Sequence, residues 1–244
     1  MPQLNPYVLS VDLGQAQDYT AWALCLAVDR PNPEYDAEMA VWSRTHRPPG
    51  LQYNVPATFA DVHIVDLDRF DLDTPYPAIV GGIQEMVLQP EVQERDVIVA
   101  VDAGGPGRPV ADTLADDVQG LRGVQRVAPY QITSGHRHHR ANRMWNLSRN
   151  LLFGEAKKLL SWQQLRVAPE LDYAPTFIEE LRNFRPKFTS AGNIVYGLQR
   201  EGENDDLALA AICGIWAAQA FGSSAGPVAS IPGFLNRGRP YANQ

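Results

Sequence analysis

The chain predicts a mixed α/β sheet with helices packed on both of its faces, and three features of the sequence say so. The first 70 residues hold three strand-like runs with no helical period between them. Helix-like and strand-like segments then alternate as far as Asn183. An Ala-rich apolar helix, from Asp205 to about Phe221, closes the pattern. Consecutive strands followed by alternating strands and helices need helices on both faces to cover the sheet.

Taken in order, YVLSVDLG (Tyr7–Gly14) is apolar and β-rich and stops at a turn, the pattern of a buried strand. YTAWALCLAVD (Tyr19–Asp29) pairs with it through a tight turn at Gln15–Asp18. Residues 30–56 are rich in Pro and polar side chains and read as an excursion, with Met39–Trp42 a short strand. DVHIVDLDRF (Asp61–Phe70) alternates as a third strand, and a helix starts near Pro75, where proline suits the first turn. RDVIVAVDAGG (Arg95–Gly105) is a buried strand ending in a glycine turn, followed by a helix through RPVADTLADDV. GVQRVAPYQI (Gly123–Ile132) is a fifth strand. From His139 to Leu160, Met144, Leu147, Leu151, Leu152, Ala156, Leu159 and Leu160 give an apolar helical face. LRVAP is a short strand, Pro175–Asn183 a helix, and KFTSAGNIVYG a hairpin turning at Ala191–Asn193. This gives one domain over residues 1–221 and a Gly/Ser/Pro-rich tail over 222–244.

The composition, 45% apolar and 20% charged, is that of a globular protein. The longest uncharged apolar run, Leu207–Phe221, has 15 residues, short of the roughly 18 of a membrane span. The N-terminus lacks the basic start and apolar core of a signal peptide. Cys25 and Cys213 sit in apolar runs, as buried free thiols do. The formal charge of −7 is unevenly spread: residues 1–121 carry 6 Lys/Arg against 19 Asp/Glu, while residues 122–169 carry 9 against 1. A polyanionic partner therefore has a local basic surface available despite the acidic total.

Three acidic positions stand where carboxylates are costly. Asp12 ends the apolar run VLSVD, Asp102 ends VIVAVD, and Asp205 and Asp206 open the apolar last helix. Each taken alone reads more simply as a turn or helix cap. If the strands of Asp12 and Asp102 are neighbours, their carboxylates leave the same sheet edge, and the last helix can bring Asp205 or Asp206 against it. Such a cluster is unfavourable unless a divalent cation neutralises it. All-oxygen ligation suits Mg²⁺ or Mn²⁺, and two such ions roughly 3.5–4 Å apart can drive phosphodiester hydrolysis. Asp18, across the first turn, is either a fifth ligand or a turn cap.

The stretches VDLGQAQDYTAWAL, VIVAVDAGGPGRPVADTL and NIVYGLQREGENDDLALAAICG, in this order and spacing, resemble the nuclease domain of tailed-phage large terminase subunits. That domain has the RNase H-like fold also seen in Holliday-junction resolvases and retroviral integrases. The resemblance spans Tyr7 to Phe221. It implies metal-dependent cleavage of concatemeric viral DNA during genome packaging, in the host cytoplasm, by three essential carboxylates. By position these are Asp12, Asp102 and one of Asp205 and Asp206, with Asp206 the favoured member. Asn204 stands where many relatives carry a His. The implied partners are double-stranded DNA, a terminase ATPase motor, a small terminase subunit and the portal. No GxxxxGK[ST] loop occurs, so motor activity is expected to be absent from this chain.

For DNA, SGHRHHRANRMWNLSRN (Ser134–Asn150) supplies Arg137, Arg140, Arg143 and Arg149, with His136, His138 and His139 beside them as further donors. Lys187 and Arg200 flank the hairpin. Nothing resembles a base-reading helix or finger, so little sequence preference is expected. Two rival readings use the same residues. One is an actin- or sugar-kinase-like ATPase whose VDLG and VDAGG turns hold phosphates, which leaves the acidic pair of the last helix without a role. The other is a DNA-binding scaffold that does not cut.

Overall fold

The computed structural model describes residues 4–14, 18–33, 35–36, 41, 58–188, 194–198 and 204–223. The Gln15–Asp18 turn apart from Asp18, the short strand at Met39–Trp42 apart from Val41, the hairpin tip at Ala191–Asn193 and the tail beyond Ser223 lie outside them.

The first three strands form an antiparallel meander: β1 (Tyr7–Asp12), β2 (Ala21–Pro31) and β3 (Thr58–Arg69). β4 (Val97–Asp102) then lies parallel to β1 on its other side, and β5 (Val124–Thr133) parallel to β4. With β6 (His139–Ala141), β7 (Met144–Ser148) and β8 (Leu165–Val167), the eight strands run in the order β6-β7-β5-β4-β1-β2-β3-β8. Strands β9 (Phe184–Phe188) and β10 (Ile194–Leu198) form a separate antiparallel pair. This is the expected mixed sheet.

Strand alternation sorts the core into two layers. Val8 of β1 and Ile98 and Ala100 of β4 face one layer, with α3 (Arg149–Ser161), α4 (Ala174–Asn183) and α5 (Asp206–Ala217). Leu9 and Val11, with Val97, Val99 and Val101, face the other, covered by α1 (Tyr76–Val87) and α2 (Arg108–Val118). Burying one such side chain contributes about 1.5–3 kcal/mol, so the layers pin every strand's register. A one-residue slip would exchange the layers.

Helix α5 is buried on every side, which explains its uninterrupted Ala-rich composition. Its Gly214 lies directly on the sheet: a Cβ there would come within 2.7 Å of the Cys25 sulfur and 3.2 Å of Ser10 Cβ. Both cysteines are free and buried, as expected, and burial pushes the Cys25 thiol up to about 12.

One element is corrected. The helix expected from His139 to Leu160 begins only at Arg149; before it, β6 and β7 form a hairpin on the sheet edge. Met144, Leu147 and Leu151 fit a helical period, but MWNLS also alternates, and Trp145 and Leu147 both pack on the α5 layer. The two-residue turn decides it. Asn142 and Arg143 have φ of 49° and 65°, which a helix cannot accommodate and a tight hairpin turn requires. Ser148 then caps α3, its hydroxyl accepting the N–H of Leu151 at 3.4 Å.

Candidate metal centre

Asp12 and Asp102 end adjacent parallel strands, the register running Val11 against Val101 just before them. By alternation they lie on the same face as Ser10 and Ala100, the face α5 covers. The chain can turn away sharply after each. After Asp12, Gly14 approaches the backbone so closely that a Cβ would lie 2.2 Å from the Asp18 carbonyl oxygen. After Asp102, the N–H of Gly104 donates to its Oδ1 at 2.7 Å, and Gly105 takes a φ of +53°. The glycine turn thus holds a carboxylate in place.

The first turn of α5 brings the second acidic pair to this edge. Asp206 is buried, 6% exposed, and its Oδ2 has no hydrogen-bond partner. Its carboxylate accepts the Tyr19 N–H, which ties α5 to the start of the second strand. Asp205 is half-buried and Asp18 exposed beside the pair.

The four buried or half-buried carboxylates feel each other. Burial, then Asp102, Asp206 and Asp205, push Asp12 well above the usual carboxylate range. Burial raises Asp102, opposed by the Gly104 N–H and by a hydrogen bond with Asp12. Asp206 is raised to about 7 by burial and by Asp205, Glu180 and Asp18. Asp205 is raised by burial and by Asp18, while Arg149 opposes the shift.

Arg149 is the one cation among the named influences on Asp12 and Asp205. Among the described residues, no three His, Cys, Asp or Glu side chains converge tightly enough to form a finished metal cage. The donor set nonetheless fits a hard divalent ion. It is all oxygen, it carries uncompensated negative charge, and it includes a buried carboxylate oxygen with nothing to bind.

Two residues at this site carried no signal that the sequence analysis used. Glu180 of α4 is buried, at 4% exposed, and its Oε2 accepts the Ala208 N–H at 2.9 Å in the first turn of α5. It occupies the third position of a buried stripe, Ala174–Phe177–Glu180, and that apolar spacing is the signal by which it is legible. Arg69, at the end of β3, partly offsets Glu180 and stacks over the Tyr19 ring at 3.9 Å.

The basic residues are spread rather than lined along a helix. Arg137 and Arg143 are exposed in the loop and turn of the edge hairpin. Arg140 is exposed on β6, its guanidinium 5.9 Å above the Trp145 ring. Arg149 alone stands against the acidic cluster. His138 is tied down: its Nδ1 accepts the Ser148 N–H at 3.0 Å at the start of α3. Lys187 lies on β9 opposite Val195, and Arg200 is outside the described residues. No helix among the described residues is long and apolar enough to cross a membrane.

No protein-family model matches the chain, and no curated protein sequence matches it. Solved structures do resemble it. The large terminase nuclease domain of a Thermus phage aligns at a TM-score of 0.51 with 19% identity, covering 91% of this chain and 83% of that one. The large terminase nuclease of a thermophilic phage, with bound magnesium, aligns at 0.50 with 18% identity, covering 88% and 82%. The human cytomegalovirus terminase nuclease domain aligns at 0.50 with 13% identity, covering 88% and 84%. The chain therefore has the RNase H-like fold of the terminase nuclease domains.

Proposed function

We propose that this chain is a metal-dependent DNA endonuclease of the large-terminase type, cutting concatemeric viral DNA during genome packaging by two-metal-ion hydrolysis. The observation that carries the proposal is the gathering of Asp12, Asp102, Asp205 and Asp206 at one sheet edge, beneath one helix, with a single arginine against them. A purely structural role would have balanced or hydrogen-bonded these groups, because a buried uncompensated carboxylate is costly. The fold shared with terminase nuclease domains, one of them holding magnesium, supports the same reading.

Asp12, Asp102 and Asp206 would hold Mg²⁺ or Mn²⁺, with Asp205 beside them and exposed Asp18 at the rim. Bound there, divalent metal supplies a nucleophile at neutral pH and charge stabilisation for the leaving oxygen. The chain's own residues do the rest. The Gly104 N–H orients Asp102, and the Tyr19 N–H orients Asp206. Arg149, already offsetting Asp12 and Asp205, would meet the scissile phosphate.

Arg137, Arg140 and Arg143, carried outward on the edge hairpin, would neutralise backbone phosphates away from the cut. Lys187, on β9, and Arg200, which follows β10 in the sequence, would add further phosphate contacts. Double-stranded DNA is the substrate, and a terminase ATPase motor, a small terminase subunit and the portal are the partners in the host cytoplasm.

The test is cleavage of supercoiled plasmid with Mg²⁺, Mn²⁺ or EDTA. Wild type should nick and linearise only with metal, and Asp102→Asn should lose the activity. Absence of cleavage with either metal would overturn the proposal. Measurable ATP binding beside it would favour the kinase-like ATPase.

A further inference from the structure

We infer that Glu180 is a positioning residue that caps α5 from outside, in place of Asp205, and so leaves the Asp205 and Asp206 carboxylates free to face Asp12 and Asp102. The inference rests on the metal-centre reading for its purpose but not for its geometry.

An Asp just before a helix normally folds its carboxylate back onto the N–H groups of the second and third helical residues. Asp205 holds that position and makes no such bond. In α5 those N–H groups belong to Leu207 and Ala208. Glu180 takes the second, Oε2 accepting from Ala208 at 2.9 Å, and the Leu207 N–H also favours its carboxylate. The four first N–H groups of a helix need partners when buried, and α5 is buried throughout. Another helix therefore supplies the cap that the local residue withholds.

This arrangement costs stability. Glu180 adds a negative charge beside Asp206 and Asp205, and its second oxygen, Oε1, is buried without a partner. A local cap by Asp205 would avoid both penalties. The offsetting cation is Arg69, held over Tyr19 and 5.2 Å from the Tyr173 ring centre. Tyr19 is also the residue whose N–H binds Asp206, so one network fixes the helix end and the carboxylate it carries.

The experiment uses the full chain with Glu180→Ala and Glu180→Gln, reading Mn²⁺ affinity by calorimetry and amide hydrogen exchange at Leu207 and Ala208 without metal. Glu180→Ala removes the acceptor. Exchange at both amides should speed by about five- to tenfold, the size of a lost cap, and Mn²⁺ affinity should fall by about ten- to a hundredfold. Glu180→Gln keeps an acceptor oxygen and should hold both within about threefold of wild type. If the Ala variant does not fold, Glu180→Asp keeps the charge but withdraws the acceptor, and should behave as the Ala variant was expected to.

Unchanged exchange and Mn²⁺ affinity in the variant lacking the acceptor would overturn the inference. So would a Gln variant that loses Mn²⁺ as badly as Ala, because charge rather than the cap would then be at work. If wild type itself binds no Mn²⁺, the metal-centre reading fails, and the exchange rates still decide the cap.

Discussion

The sheet carries buried carboxylates at two places, and they are treated in opposite ways. Asp61, on β3 opposite Val28, is 1% exposed and pairs with Arg30, while Arg166 Nε lies 3.9 Å from its Oδ2. Asp12, on β1 opposite Ala21 at the other end of β2, has three carboxylates near it and one arginine. The first site sets two arginines against one carboxylate, although its Oδ1 too is buried without a hydrogen-bond partner. The second is short of positive charge. That imbalance of charge within one sheet is the contrast on which the proposed metal site rests.

The sharpest way to break that comparison is substitution. Asp12→Asn or Asp102→Asn should cut plasmid cleavage by roughly a thousandfold or more, several kcal/mol of lost transition-state stabilisation. In EDTA the same variants should melt at an equal or higher temperature than wild type, since one repelling charge is gone. A variant that retained cleavage would return the cluster to structure. Asp61→Asn should do the reverse. Cleavage persists, and stability falls by about 1–3 kcal/mol, roughly 2–12 °C of Tm, because charged hydrogen bonds are lost.

The pH dependence sharpens the contrast further. Asp12, Asp102 and Asp205 titrate above the usual carboxylate value, and Asp206 at about 7. Between about pH 4 and pH 7 the folded protein therefore holds more protons than the unfolded chain. These groups stabilise it most below their unfolded values, and that contribution is lost as pH rises through 7. Thermal melts in EDTA should show Tm falling from pH 5 to pH 8, with the fall flattened by Mn²⁺. A metal-independent slope would mean the cluster binds no ion. The smallest effect concerns the edge hairpin: Arg140→Ala should weaken DNA binding a few-fold and lower the salt slope by about 1, seen in fluorescence titrations at several salt concentrations. An unchanged slope would remove the hairpin from the interface.

Asp12, Asp102 and the Asp205–Asp206 pair were legible in the sequence because a charge inside an apolar run costs free energy, and chains keep that cost for a reason. Glu180 was passed over, although its place three residues after Phe177 marks it on the buried face of that helix. The edge hairpin was misread because Met144–Leu147–Leu151 satisfies a helical period, while the two positive-φ residues that end it have no strong local signature.

By itself, then, the sequence determined the strand–helix order outside the edge hairpin, the two-layer core and the identity of the acidic residues, since periodicity and the cost of buried charge are local properties. Only the tertiary structure decided which carboxylates share an edge, that Arg149 sits among them, and that a glutamate from α4 caps α5. Those facts depend on strand order and on where one helix end meets another. No local pattern encodes such distances, because they are set by packing between segments far apart in the chain.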